Sequence, residues 1–130
     1  MIVVDASIVA SALGDDGSDG ERARQRLAGE RLFAPELLDL EVASVWRRAA
    51  RAGRLTGRRA GQALDDLAAL PLARAPHQPL MSRIWKLRDN LTPYDAAYVA
   101  LAEALEASLV TADQRLFRSP GARCEIELLG

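Results

Sequence analysis

Met1-Ile2-Val3-Val4-Asp5-Ala6-Ser7 is the stretch from which the fold can be read. Ile2-Val3-Val4 is an unbroken apolar, β-branched run, so it reads as a strand buried on both faces of a parallel sheet. Asp5 ends the run, and a helix is expected to start near Ala6. The same pattern recurs near the other end of the chain, where Ser108-Leu109-Val110-Thr111 reads as a strand that stops just before Asp113.

Between these two strands the signals alternate. Leu32-Phe33-Ala34, closed by Pro35, is a second short strand, Leu72-Ala73 a brief third, and residues 124–128 a last one. Residues 14–20, Gly-Asp-Asp-Gly-Ser-Asp-Gly, are expected to form a flexible loop, followed by a helix over 21–28. Over 36–51 the apolar residues Leu37, Leu38, Val42, Val45, Trp46 and Ala49 recur at helical spacing, and Gly53 supplies a stop. Further helices are expected over 56–70, ending at Pro71, over 80–91 with a stripe of Met81, Ile84, Trp85 and Leu87, and from Thr92 to about residue 107. Most of that stripe and Trp46 are expected in the core. Short apolar strands alternating with helices define an α/β fold, a three-layer α/β/α arrangement around a short central parallel sheet, with residues 1–130 as a single domain. No repeat, low-complexity tract or linker interrupts it.

The composition narrows the chemistry. The chain is 49% hydrophobic and 27% charged, with only two each of Phe, Tyr and Trp, which is globular and aliphatic rather than disordered. Cys124 is the single cysteine and His77 the single histidine, so zinc sites built from several such ligands are excluded and both residues are read as structural. Any metal must be held by oxygen. The lone thiol, and a start without a charged leader or long apolar segment, set the expectation of a cytoplasmic protein with no membrane association. The net charge of -1 makes no general case for nucleic acid. Arg47, Arg48, Arg51, Arg54, Arg58 and Arg59 nevertheless crowd one stretch, fit either to bind phosphates or to form a solvated helix face.

Four carboxylates stand out. In open α/β sheets the functional crevice lies beyond the carboxyl ends of the strands, where Asp5 and Asp113 fall. Either can equally be a helix N-cap. Asp95, in Thr92-Pro93-Tyr94-Asp95, fits a capping box, yet shares the inward-facing arc of Tyr98, Val99 and Ala102. Glu41 sits within the apolar stripe of its own helix, which calls for an ion pair with an arginine, a place at the stripe's margin, or a function. Carboxylates drawn together repel and raise one another's pKa, so a cluster makes sense when a divalent cation neutralises it. Oxygen-only ligation suits Mg²⁺ or Mn²⁺.

These residues resemble the PIN-domain family, and within it the VapC toxins of bacterial toxin–antitoxin pairs. The resemblance rests on Val4-Asp5-Ala6-Ser7, on Pro35-Glu36-Leu37 leading to Glu41, on the run from Leu91 through Thr92-Pro93-Tyr94-Asp95 to Ala102, and on Val110-Thr111-Ala112-Asp113-Gln114-Arg115-Leu116. It implies that Asp5, Glu41, Asp95 and Asp113 form a catalytic metal site, with Ser7 and Thr111 as supporting hydroxyls. It also implies Mg²⁺-dependent cleavage of RNA, with Mn²⁺ able to substitute, a homodimer, and silencing by a cognate antitoxin.

Three other readings compete. A phosphotransfer domain using Asp5 as nucleophile lacks a second Asp where Ser7 stands and has only Lys86 as a lysine. A nucleotide-binding Rossmann domain lacks a glycine-rich turn after the first strand. A catalytically silent PIN-like binding module would be marked by loss of an acid, and all four are present. The acidic Asp15, Asp16 and Asp19 would repel RNA at the groove, so their loop is expected to swing clear or to serve another contact.

Overall fold

Strands Ile2–Val4 (β1), Leu32–Pro35 (β2), Leu72–Ala75 (β3), Ser108–Thr111 (β4) and Ile126–Leu128 (β5) form one sheet in the order β3-β2-β1-β4-β5. Every neighbouring pair is parallel. This is the computed structural model of the chain, and it describes residues 1–130. The apolar run that opens the chain lies in the middle of the sheet: Val3 pairs with Phe33 on one side and Leu109 on the other. Val3 and Val4 are fully buried, as a central strand covered on both faces requires.

The helices are Ala6–Gly14 (α1), Ser18–Leu27 (α2), Leu38–Arg51 (α3), Gly57–Ala69 (α4), Met81–Lys86 (α5), Pro93–Leu105 (α6) and Gln114–Arg118 (α7). Helix α1 packs against α2, α3, α4 and β4, while α6 packs against α5 and strands β1, β2 and β4. The two groups cover the sheet as separate layers, which gives the three layers expected from the alternation. Helix α6 is the most buried, with every residue from Ala96 to Ala102 inside the core.

Several boundaries differ from the sequence reading. Helix α2 begins at Ser18, inside the stretch expected to be a loop, because Asp19 and Glu21 favour a helix's first turn and Gly20 permits a contact no side chain would. A Cβ on Gly20 would stand 1.8 Å from the Asp15 carbonyl oxygen. The expected 80–91 helix is shorter: a 3₁₀ turn at Gln78–Leu80 leads into α5, which stops at Lys86. Its stripe divides, with Ile84 and Leu87 buried and Met81 and Trp85 exposed. Trp46 is core, and its indole N–H donates to the Ala10 carbonyl across 3.2 Å, joining α3 to α1. Helix α7 follows Asp113, as the N-cap reading of that residue requires.

Candidate functional site

The carboxyl ends of β1 and β4 lie side by side, and the backbone N–H of Asp5 donates to the Val110 carbonyl. Asp5 is only 6% exposed. Its Oδ1 accepts from Ser7 Oγ at 2.6 Å and from the Ile8 N–H at 3.2 Å, and its Oδ2 accepts from Thr111 Oγ1. Ser7 Oγ in turn accepts from the Ala112 N–H. Burial raises the Asp5 pKa, with repulsion from Asp113 adding to it, and the bonds from Ser7, Thr111 and Ile8 do not fully offset the shift. The capping and functional readings of Asp5 are thus compatible: it caps α1 and still faces a pocket.

That pocket, of about 220 Å³, is lined by Asp5, Glu41, Asp95 and Asp113 together, with Ser7, Ser44, Arg48 and Tyr98 among the other walls. The four acids proposed from sequence therefore meet in one place, delivered by α1's cap, α3, α6 and α7's cap. Glu41 is half-buried, has no ion-pair partner, and accepts from the Tyr98 hydroxyl at 2.6 Å. Its pKa is raised, first by burial and then by the charges of Asp95 and Asp5, against the lowering effect of the Tyr98 bond. The arginine partner expected of a structural glutamate is absent. Helix α3 is fastened on either side of Glu41, by Trp46 and by Asp39, whose carboxylate holds Arg74 of β3 bidentately at 2.7 and 2.9 Å.

Asp95 sits in the first turn of α6, where Thr92 Oγ1 caps the Asp95 N–H. Its carboxylate makes no reciprocal capping bond and instead accepts from Arg115 Nη2 at 2.7 Å. Asp113 caps α7, with Oδ1 accepting from the N–H groups of Arg115 and Leu116, while its Oδ2 takes the same Arg115 Nη2 at 3.2 Å. The proximity of Asp95 and Asp113 raises the Arg115 pKa. Sequence reading missed Arg115 in this role, because α7 is too short to show helical periodicity.

An oxygen-rich donor set of four carboxylates fits a hard divalent cation in kind. As the side chains stand, no three of the acids are arranged to hold an ion, and the charge between Asp95 and Asp113 is the Arg115 guanidinium. Two of the four acids are therefore already bridged by a cation of the chain's own. Beside the pocket a groove of about 960 Å³ shares Ser7, Val45 and Arg48 and carries Arg54 and Arg59. Of the six crowded arginines only these three reach it. Asp15 and Asp16 border the same groove, so their loop does not swing clear; Asp16 is neutralised by Arg59, whose Nη2 and Nε donate to it at 3.0 and 3.1 Å.

Comparison with known proteins bears on the family and the fold. Ribonuclease VapC9 of Mycobacterium tuberculosis is 48% identical over 129 residues, 99% of this chain and 98% of the relative. Among solved structures, PAE2754 from Pyrobaculum aerophilum superposes with a TM-score of 0.69 at 23% identity, covering 98% of this chain and 83% of that one. VapBC2 from Rickettsia felis, solved bound to a DNA fragment from its promoter, does so with a TM-score of 0.67 at 16% identity over the full length of both chains. These structural likenesses are of fold. The sequence profile of the PIN domain matches residues 2–121, and with a ribonuclease nearly half identical along the whole length, the chain belongs to the PIN-domain family.

Proposed function

We propose that this chain, residues 1–130 as a single PIN domain, is a divalent-metal-dependent endoribonuclease, the toxin of a toxin–antitoxin pair. The observation that carries the reading is the convergence of Asp5, Glu41, Asp95 and Asp113 on one pocket at the carboxyl ends of two adjacent parallel strands. The mutual repulsion of these acids needs a cation to offset it.

Asp5 and Asp95 are the firmest candidates to hold the cation, with Glu41 and Asp113 completing the set. Mg²⁺ is the proposed ion and Mn²⁺ its substitute. A divalent cation supplies polarisation of the attacking water and stabilisation of the charge that develops on phosphorus. The chain's part is to fix the acids. Ser7 and Thr111 hold both oxygens of Asp5, so its orientation does not depend on rotamer chance. Tyr98 holds Glu41 from the core side. Glu41, whose second carboxylate oxygen makes no hydrogen bond, is the carboxylate assigned to take the proton from the attacking water. Arg48, on the wall shared by pocket and groove, is assigned to an RNA phosphate.

The partners proposed are RNA, a small antitoxin protein that covers the acidic pocket, and a second copy of the chain. A solved toxin–antitoxin complex from Klebsiella pneumoniae shares the fold, which supports the antitoxin. No helix is long and apolar enough to cross a membrane, and the free thiol of Cys124 suits the reducing cytoplasm we assign.

The test is incubation of a structured RNA pool with purified protein and Mn²⁺ or Mg²⁺, beside an EDTA control and the Asp5→Asn and Asp95→Asn variants. Metal-dependent cutting that falls at least about a hundredfold in either variant is expected. A folded, metal-binding protein that cuts no RNA would favour the silent binding module instead.

A further inference from the structure

We propose that Arg115 and the divalent cation compete for the same two carboxylates, and that the displaced guanidinium becomes a contact for the RNA phosphate. The inference rests on the proposed nuclease reading. One nitrogen, Arg115 Nη2, reaches Asp95 Oδ2 at 2.7 Å and Asp113 Oδ2 at 3.2 Å, bridging the start of α6 to the start of α7. No other hydrogen bond holds this guanidinium, and its side chain is 61% exposed, so it can leave without disturbing the core. The backbone of Arg115 stays in place independently, because its N–H caps onto Asp113 Oδ1 and neighbouring Leu116 is buried.

A guanidinium has only donors and cannot ligate a metal. A cation drawing oxygens from Asp95 and Asp113 must therefore take them from Arg115, and like-charge repulsion works in the same direction. A pair open to solvent on its guanidinium side is screened there and exchanges more readily than a buried one. Once released, the side chain remains tethered at the pocket's edge with its planar fork free, the geometry that pairs bidentately with a phosphate. Arg115 would thus bridge the two acids and screen their repulsion before the ion arrives, and face the substrate afterwards. The competition also lowers apparent metal affinity by the fraction of molecules in which the pair is closed.

The experiment measures Mn²⁺ binding by calorimetry for the unaltered protein, Arg115→Ala, Arg115→Gln and Asp95→Asn, then RNA cleavage by the two Arg115 variants at saturating Mn²⁺. Both Arg115 variants are expected to bind Mn²⁺ roughly two- to fivefold more tightly, the range that loss of a solvent-screened pair allows. Both are also expected to cleave RNA with a higher KM. A purely structural arginine predicts the opposite sign in the binding measurement. Unchanged or weaker Mn²⁺ binding in both variants, with binding lost in Asp95→Asn, overturns the competition while leaving the nuclease reading intact. Tighter binding with an unchanged KM overturns the phosphate contact. Failure of the unaltered protein to bind Mn²⁺ at all overturns the nuclease reading on which the inference stands.

Discussion

Glu41 shows how one residue can be read in sequence and completed only in the fold. Its place inside an apolar stripe marks it as anomalous; that its partner is Tyr98, 57 positions away, is information no local pattern holds. Its raised pKa makes a prediction with a definite sign. An acid whose folded pKa lies above its ordinary 4.5 contributes stability below that value and loses it as pH rises through the folded one. In EDTA, thermal melts of Glu41→Gln against the unaltered protein should therefore show the variant gaining relative stability as the pH rises above Glu41's ordinary 4.5. A difference that is flat or falls with pH would refute the assignment. The two readings weighed for Asp5 and Asp113, helix cap and site acid, need no choice between them, because one oxygen can cap while the carboxylate still faces the pocket. Arg115 was illegible for a different reason: a surface arginine two positions after an aspartate looks like any solvated charge until Asp95 is brought to it.

At the scale of elements, what the sequence carries well is periodicity, and what it carries poorly is close approach. The alternation of strands and helices was legible because buried parallel strands are continuous apolar runs. The start of α2 was not, since Gly20 reads as a loop residue and serves instead to let the helix's first turn pass the end of α1. Gly20→Ala should destabilise the fold by roughly 1–3 kcal/mol, as forced overpacking against backbone does, measured by chemical denaturation. An unchanged midpoint would mean that the turn can move aside. Helix α7 is announced only by its Asp113 cap, because five residues are too few to show periodicity, and the helix expected over 80–91 runs past α5 because Leu87 and Leu91, both buried, continue the helical spacing beyond its end.

At the scale of the molecule, the parallel class and the three layers were legible, whereas the strand order β3-β2-β1-β4-β5 was not. Strand order depends on pairings between distant segments, and short strands carry no label for their neighbours. The order also makes a prediction. A chain ending at Ala107 lacks β4 and β5 and leaves β1 as an edge strand with a buried apolar run exposed. Such a chain should show no cooperative melting transition by circular dichroism, and a sharp transition would mean that the rest of the fold stands alone. The hydrogen bond from Thr111 to Asp5 joins residues 106 positions apart, and Asp113 lies further still along the chain. The pocket thus closes only when segments more than a hundred positions apart have both been made. Translation of an enzyme that attacks RNA is in this way separated from its action: the nascent chain carries Asp5 long before Asp113, and has no complete site until both have emerged.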